Sequence, residues 1–258
     1  MNLALLGILS VLGVLAGTLC LLEIGRRLGA RRRRLDPEGA KAGAGAVEGA
    51  IFGLMGLLIA FTFSGAAARF DTRRMQLVEE ANCIGTAWLR LDLLPAAAQP
   101  PLREKLRQYL DARLAAFHKL PDRAAAKADL DRASALQMDI WTQAVADCRE
   151  AGSPATTSLL LSALNQMFDM ATTRTMGVQM HPPPIIYAML ALLVLAGALL
   201  VGYGMGAGKV RNWFHALAFA LVISLAIYVI LDFEFPRVGL IRIQGFEQVL
   251  VDLRQSMN

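Results

Sequence analysis

Histidine, cysteine and catalytic motifs are scarce in this chain of 258 residues, which has three histidines and three cysteines. The histidines lie in separate segments, so no two of them have the spacing of metal ligands. The alternating glycines from Gly202 to Gly208 lack the preceding strand and the Lys-Ser/Thr pair of a phosphate-binding loop. No serine occupies a nucleophile elbow. The sequence therefore predicts no catalytic residue, no metal site and no cofactor, and it argues against an enzyme.

Charge is also missing, from four long stretches of the chain. More than half of the residues are apolar, and windows 3–22, 47–68, 185–207 and 213–231 are nearly free of charge. Each window is long enough to cross the hydrocarbon core of a bilayer as a helix. The first window lacks the basic start of a cleaved signal peptide, so we expect it to be retained. These windows predict a membrane protein with four transmembrane helices.

The stretch 47–94 continues from the second window into a charged segment without a helix breaker. Its apolar residues alternate at spacings of four and three, which is the a/d seam of a heptad repeat. The seam residues are Gly49, Gly53, Gly56, Ala60, Phe63, Ala67, Phe70, Arg74, Leu77, Ala81, Ile84, Trp88 and Leu91. We predict one helix about 70 Å long, which exceeds a hydrocarbon core of about 30 Å. The alternative is two helices with a kink near Gly65.

Residues 69–184 are predicted to be helical throughout. After the long helix, one helix begins near Pro101, a second is capped by Asp122, and a third follows the segment Gly152-Ser153-Pro154. Amphipathic helices joined by short turns form antiparallel bundles. The predicted fold is therefore all-α, with four transmembrane helices and a long antiparallel helical bundle inserted between spans 2 and 3 and continuous with those spans.

Four regions follow from this interpretation. Residues 1–68 hold spans 1 and 2 with an arginine-rich loop, residues 69–184 the bundle, residues 185–232 spans 3 and 4, and residues 233–258 a tail with a short amphipathic helix. That helix either docks on its own subunit, lies on the membrane surface or docks on a neighbouring subunit. Cys83 and Cys148 both fall in the bundle, where they form one disulfide or remain two buried thiols.

Basic residues crowd the two short loops between the spans. They are Arg26, Arg27, Arg31, Arg32, Arg33, Arg34, Lys41, Lys209 and Arg211. The positive-inside rule places both loops in the cytoplasm, and hence the bundle in the periplasm of a bacterial inner membrane. Arg69, Arg73 and Arg74 directly follow span 2 and favour the alternative, a cytoplasmic bundle. The arginine run lies between two spans without interleaved aromatic residues, so we expect no nucleic-acid partner.

The strongest concentration of polar residues begins where span 2 ends. It comprises Arg69, Arg73 and Arg74, and then the polar motif Glu79, Glu80, Asn82, Arg90 and Asp92. One interpretation is a solvated helix face with weak ion pairs. The other starts from Arg74, which stands on the heptad seam. A ring of such arginines around a symmetry axis would concentrate anions at a pore mouth.

Within span 2, a small-residue face carries two phenylalanines. The candidate pore-lining residues are Gly56, Ala60, Phe61, Thr62 and Phe63. Phenylalanine rings at a pore axis can form a hydrophobic constriction. The alternative is helix packing through Gly49 and Gly53, and the two are compatible if the glycines pack within the subunit while the phenylalanines face an axis.

Two runs resemble landmarks of a known family. The segment from Glu80 to Pro95 (EANCIGTAWLRLDLLP) and the exit from span 4, Leu231 to Gly239 (LDFEFPRVG), are similar to the bestrophin-like domain family of bacterial multi-pass proteins. The resemblance implies four spans with a large helical region between the second and third. True bestrophins, which are pentameric anion channels, are related more loosely, and their acidic calcium site has no match here. They keep the corresponding helical region in the cytosol, which conflicts with the charge-based topology.

Two functions are compatible with these features. The first is a homo-oligomeric ion channel, with an anion preference, lined by span 2. The second is a non-conducting scaffold or sensor whose bundle binds a partner protein or ligand. The expected partners of the channel are further copies of the chain, the lipid bilayer and inorganic ions.

Overall fold

The computed structural model describes residues 3–35, 44–120, 122–206, 213–236, 239–241, 245 and 247–257. Within these ranges every regular element is helical, as predicted. The α-helices are α1 (Leu3–Leu35), α2 (Ala44–Arg90), α3 (Gln99–Lys119), α4 (Arg123–Ala151), α5 (Pro154–Gly177), α6 (Pro184–Met205), α7 (Trp213–Glu234) and α8 (Gln248–Ser256). A 3-10 turn, Leu91–Leu93, follows α2.

Four of the described helices, α1, α2, α6 and α7, are long and apolar enough to cross a membrane. They correspond to the four predicted spans, although α6 ends at Met205, two residues before the end of the predicted window. Helix α2 runs for 47 residues without a break at Gly65, which confirms the single long helix. The predicted continuity with span 3 is wrong, because α5 ends at Gly177 and α6 begins only at Pro184. Consecutive prolines in this connection remove backbone donors and disfavour helix in the preceding residue.

The chain divides into two compact units. The first, which we call the membrane unit, comprises Met1–Phe70 and His181–Ile241, and the second, the bundle unit, comprises Asp71–Met180 and Arg242–Asn258. Helix α2 contributes its apolar part to the membrane unit and its charged part to the bundle unit. The C-terminal helix α8 belongs to the bundle unit.

The membrane unit has an apolar core between three of its helices. Met55 and Ala66 of α2 are buried against residues of α6 and α7. Helix α1 packs on α6 in parallel, since Gly25 lies beside Leu199 and Gly29 lies beside Tyr203. Both partners advance by four residues along their helices, which is the signature of a parallel pair.

The bundle unit is antiparallel. Lys119 pairs with Asp129 at 2.6 Å, and Tyr109 bonds Gln137 at 3.3 Å, so α4 runs back along α3. Helices α2 and α5 are also antiparallel. Arg90, at the end of α2, donates to the Leu159 carbonyl oxygen near the start of α5, and Glu80, ten residues earlier, pairs with Arg174 near the end of α5. The inserted antiparallel bundle is therefore present.

Local signals begin and end the bundle helices where the sequence predicts. The Asp122 carboxylate accepts from the amides of Ala124 and Ala125 at 3.0 and 3.1 Å, which caps α4. The Ser153 hydroxyl accepts from the Thr156 amide at 3.3 Å and caps α5. Gly152, between these helices, has a φ of 66°, a left-handed conformation that favours glycine.

The C-terminal helix α8 docks on α3 of its own chain. Arg254 binds both carboxylate oxygens of Asp111 at 2.7 and 3.1 Å, and Arg107 donates to the Met257 carbonyl oxygen at 2.9 Å. Of the three positions predicted for the C-terminal helix, the structure thus shows docking on its own subunit. The bundle cysteines, Cys83 and Cys148, are free thiols.

Candidate functional site

One half of the α2 surface in the membrane unit has no packing partner among the described residues. A methyl group added at Gly49, Gly53 or Gly56 would meet no described atom within 4 Å. Phe61, on the same half, is 67% exposed, whereas Met55 on the opposite side is buried. Packing of Gly49 and Gly53 within the subunit would make both interpretations of span 2 compatible, but it is not seen among the described residues. With respect to these residues, the small-residue face of α2 is open.

Other glycines provide the close helix contact of this unit. A methyl group at Gly25 would lie 2.0 Å from the Leu199 carbonyl oxygen, and one at Gly202 would lie 2.1 Å from the Leu22 carbonyl oxygen. Gly29 and Gly206 follow at the four-residue spacing that lets helix backbones approach in lipid. The spacing is visible in the sequence, but it recurs at several glycine pairs and does not show which of them meet another helix.

The candidate constriction residues divide into two groups. Gly56, Ala60 and Phe61 lie on the open face of α2. Phe63 is 42% exposed and its ring packs edge-to-face on Phe233 of α7, with centroids 5.6 Å apart. The Thr62 hydroxyl donates to carbonyl oxygens of its own helix at 2.7 and 3.0 Å, so its polar group is occupied by the backbone.

Span 4 ends in a segment in which consecutive side chains bind different elements. The Asp232 carboxylate accepts from the backbone amides of Leu240 and Ile241, both at 3.0 Å. A methyl group at Gly239 would lie 1.6 Å from an Asp232 carboxylate oxygen, so a larger residue there would displace this carboxylate. The next residue, Phe233, also packs on Phe70 of α2 with centroids 5.4 Å apart. This segment thus reverses the chain and contacts α2.

Glu234 is fully buried and binds two basic side chains, an arrangement that we call the Glu234 cluster. Arg69 donates through Nη2 and Nε to Glu234 Oε2 at 2.7 and 2.8 Å. His181 Nδ1 lies 2.7 Å from Glu234 Oε1, and its ring stacks on Phe235 with centroids 4.8 Å apart. Sequence reasoning placed Arg69 at a pore mouth but missed His181 and Glu234. The sequence signal that points to Glu234 is a carboxylate at the end of an apolar, membrane-spanning helix, which is uncommon unless the carboxylate has a partner.

The two other arginines of the predicted mouth also have partners. Arg73 is buried, and it donates to the carbonyl oxygens of Met180 and Gly177 at 3.0 and 3.4 Å. These carbonyls lie at and just beyond the C-terminal end of α5, where a cation is favourable. Arg74 pairs with the exposed carboxylate of Asp71 at 3.1 Å and is 37% exposed. The Arg74–Asp71 pair therefore lies at the surface.

The polar motif contains a buried ion bridge instead of only a solvated face. Glu80, fully buried, accepts from Arg113 through Nε and Nη2 at 2.7 Å each and from Arg174 Nη1. The Arg174 guanidinium also lies 3.9 Å over the Phe117 ring. Burial lowers the pKa of Arg174, the Glu80 carboxylate opposes this shift, and the Arg113 charge adds to it. Glu80 therefore joins α2, α3 and α5 in the bundle core.

The remaining motif residues lie near the bundle surface. Glu79 and Asn82 are exposed. Arg90 donates to the Leu159 carbonyl oxygen at 2.6 Å, and Asp92 pairs with Arg103. Among the described residues no three His, Cys, Asp or Glu side chains are placed to hold a metal ion. The bundle shows a structural ionic core with a polar exterior.

Comparison with known proteins agrees with the two landmarks. A family model described as Bestrophin-like domain matches residues 8–245. The match covers both the segment that contains Glu80 and the segment that contains Glu234. No curated protein and no solved structure matches the chain.

Proposed function

Because this multi-pass membrane protein belongs to the bestrophin-like domain family, we propose that it is the subunit of a homo-oligomeric ion channel. In this proposal α2 lines the pore and anions are preferred. The observation that carries it is the open face of α2, since family membership alone does not identify a pore.

The open face suits a position next to an axis shared by several copies. In lipid, helices associate through small residues that allow close backbone approach, and Gly49, Gly53 and Gly56 have no such neighbour in the part of the chain that the structure describes. The buried side of α2 is already occupied by α6 and α7. Phe61, 67% exposed, would narrow an axial opening and form a hydrophobic constriction.

The anion preference rests on Arg74. This arginine occupies the heptad seam of α2, and its partner Asp71 is 67% exposed, so the pair is accessible to water and ions. The Arg74 side chain is 37% exposed, so its positive charge acts on ions in the surrounding water. Arg69 contributes less, since the buried Glu234 carboxylate offsets its charge.

We further propose a bacterial inner membrane location with the bundle unit in the periplasm. The arginines and lysines of the two short loops support this orientation. The alternative remains a cytoplasmic bundle, which is the arrangement that the resemblance to true bestrophins implies.

The test is ion flux from liposomes that contain the purified protein, with chloride and potassium gradients measured separately. Phe61→Ala is expected to raise the flux severalfold, because it widens the constriction and removes few contacts within the chain. Phe214→Ala is the matched control, since Phe214 is a 77% exposed aromatic side chain on α7. Its flux should equal that of the unmodified protein.

Arg74→Glu is expected to lower the ratio of chloride to potassium flux, because it replaces the cation beside Asp71 with a second carboxylate. Arg149→Glu, on the exposed surface of α4, makes the same charge change elsewhere and should leave the ratio unchanged. Equal ratios in both variants would contradict the assigned mouth. A folded oligomer without flux that co-purifies with a stoichiometric partner would favour the scaffold or sensor instead.

A further inference from the structure

The Glu234 cluster brings together three segments of the membrane unit: α2, the end of α7 and the residues before α6. Both carboxylate oxygens of Glu234 are bound, one by Arg69 at 2.7 Å and the other by His181 at 2.7 Å. With a neutral imidazole the three charges sum to zero, and with an imidazolium they sum to one positive charge. The His181 side chain is 32% exposed, so protons from water can reach it.

The ionisable group next to the cluster along α7 is Asp232, whose carboxylate accepts from the amides of two later residues. Carboxylates and guanidinium groups ordinarily keep their charge near neutral pH. Histidine is the side chain whose charge ordinarily changes between about pH 5 and about pH 8. His181 is the histidine of this cluster.

The cluster lies next to the aromatic contact of the candidate constriction. Phe233, the residue before Glu234, packs on Phe63 with ring centroids 5.6 Å apart. Phe63 belongs to the apolar part of α2 that the channel proposal places along the pore. A charge on His181 thus lies against Glu234, whose neighbour in the chain, Phe233, makes this aromatic contact.

We propose that His181 determines the ion specificity of the channel in a pH-dependent manner. Protonation adds one positive charge beside the Phe63–Phe233 contact and raises the passage of anions relative to cations. This inference rests on the proposed function. One unit charge at about 10 Å in a partly polar protein environment changes the ratio of anion to cation flux about threefold to tenfold.

The first test compares chloride and potassium flux from liposomes at about pH 5 and about pH 8. The unmodified protein should show a chloride-to-potassium ratio about threefold to tenfold higher at the acidic pH. His181→Gln should abolish this change, because an amide can donate to Glu234 but does not titrate in this range. His118→Gln is the matched control: His118 is 63% exposed and lies 3.7 Å from Glu247 in the bundle unit, and its variant should keep the pH dependence.

If the protein conducts ions, either of two results would overturn the inference. The first is a chloride-to-potassium flux ratio that does not depend on pH, and the second is a pH dependence of this ratio that persists in His181→Gln. A complete absence of flux would overturn the proposed function and, with it, the role in specificity. These outcomes separate a failure of the inference from a failure of the channel proposal.

Discussion

Replacing Glu80 with glutamine should destabilise the bundle unit more than any nearby surface substitution. Glu80 is 0% exposed and bridges Arg113 and Arg174, which are 9% and 4% exposed. Glutamine keeps the shape of the side chain but removes the charge, so two buried guanidinium groups lose their shared partner. Removing one member of a buried ion pair costs about 3–5 kcal/mol, and we expect the cost here to fall in that range.

The matched control is Glu79→Gln, one residue earlier on α2. Glu79 is exposed, and such surface substitutions change stability by about 0.5 kcal/mol or less. Thermal unfolding of the full chain in detergent can be followed by tryptophan fluorescence in a Trp213→Phe background. The remaining reporters, Trp88 and Trp141, both belong to the bundle unit. A loss of about 3 kcal/mol lowers the melting temperature of a unit of this size by about 10 °C.

Equal melting temperatures for the two glutamine variants would refute the buried bridge. A double-mutant cycle sharpens the result. Arg174→Met combined with Glu80→Gln removes one cation together with the anion, so the double variant should lose less stability than the sum of the single changes. Coupled neighbours deviate from additivity by about 0.5–3 kcal/mol. Additive losses would show that Glu80 and Arg174 do not interact.

Two further predictions concern helix packing and topology. Gly25→Ala should lower the stability of the membrane unit by about 1–3 kcal/mol, because the new methyl group would lie 2.0 Å from the Leu199 carbonyl oxygen. Gly53→Ala, which meets nothing within 4 Å, should not destabilise the detergent-solubilised subunit, and a larger loss there than at Gly25 would contradict the assigned packing. Met138→Cys, at a position 66% exposed on α4, should react with a membrane-impermeant thiol reagent in intact cells, whereas reaction only after lysis would place the bundle in the cytoplasm. Native Cys148 is 2% exposed and is unsuitable for this measurement.

Features that depend on neighbouring residues could be predicted from the sequence. The four apolar windows became helices because their length and lack of charge are properties of each segment. Asp122 and Ser153 cap α4 and α5 because each side chain reaches amides two or three residues ahead. The long α2 followed from the absence of a breaker between its apolar and charged parts, while the prolines after Met180 interrupt the connection to α6. The two landmark segments likewise sufficed to identify the family.

The pairing of distant side chains was decided only by the tertiary structure. Glu234 and His181 are separated by 53 residues, and no local periodicity specifies that the end of α7 meets the segment before α6. Gly25 and Gly53 stand in equivalent four-residue patterns, but only the former approaches another helix. Which face of a helix is buried depends on the helices that assemble around it, because packing energy comes from contacts between segments and not from the spacing within one. The sequence therefore determined which segments are helices and which of them are apolar, and the tertiary structure decided which charges are neutralised and which face of α2 remains open.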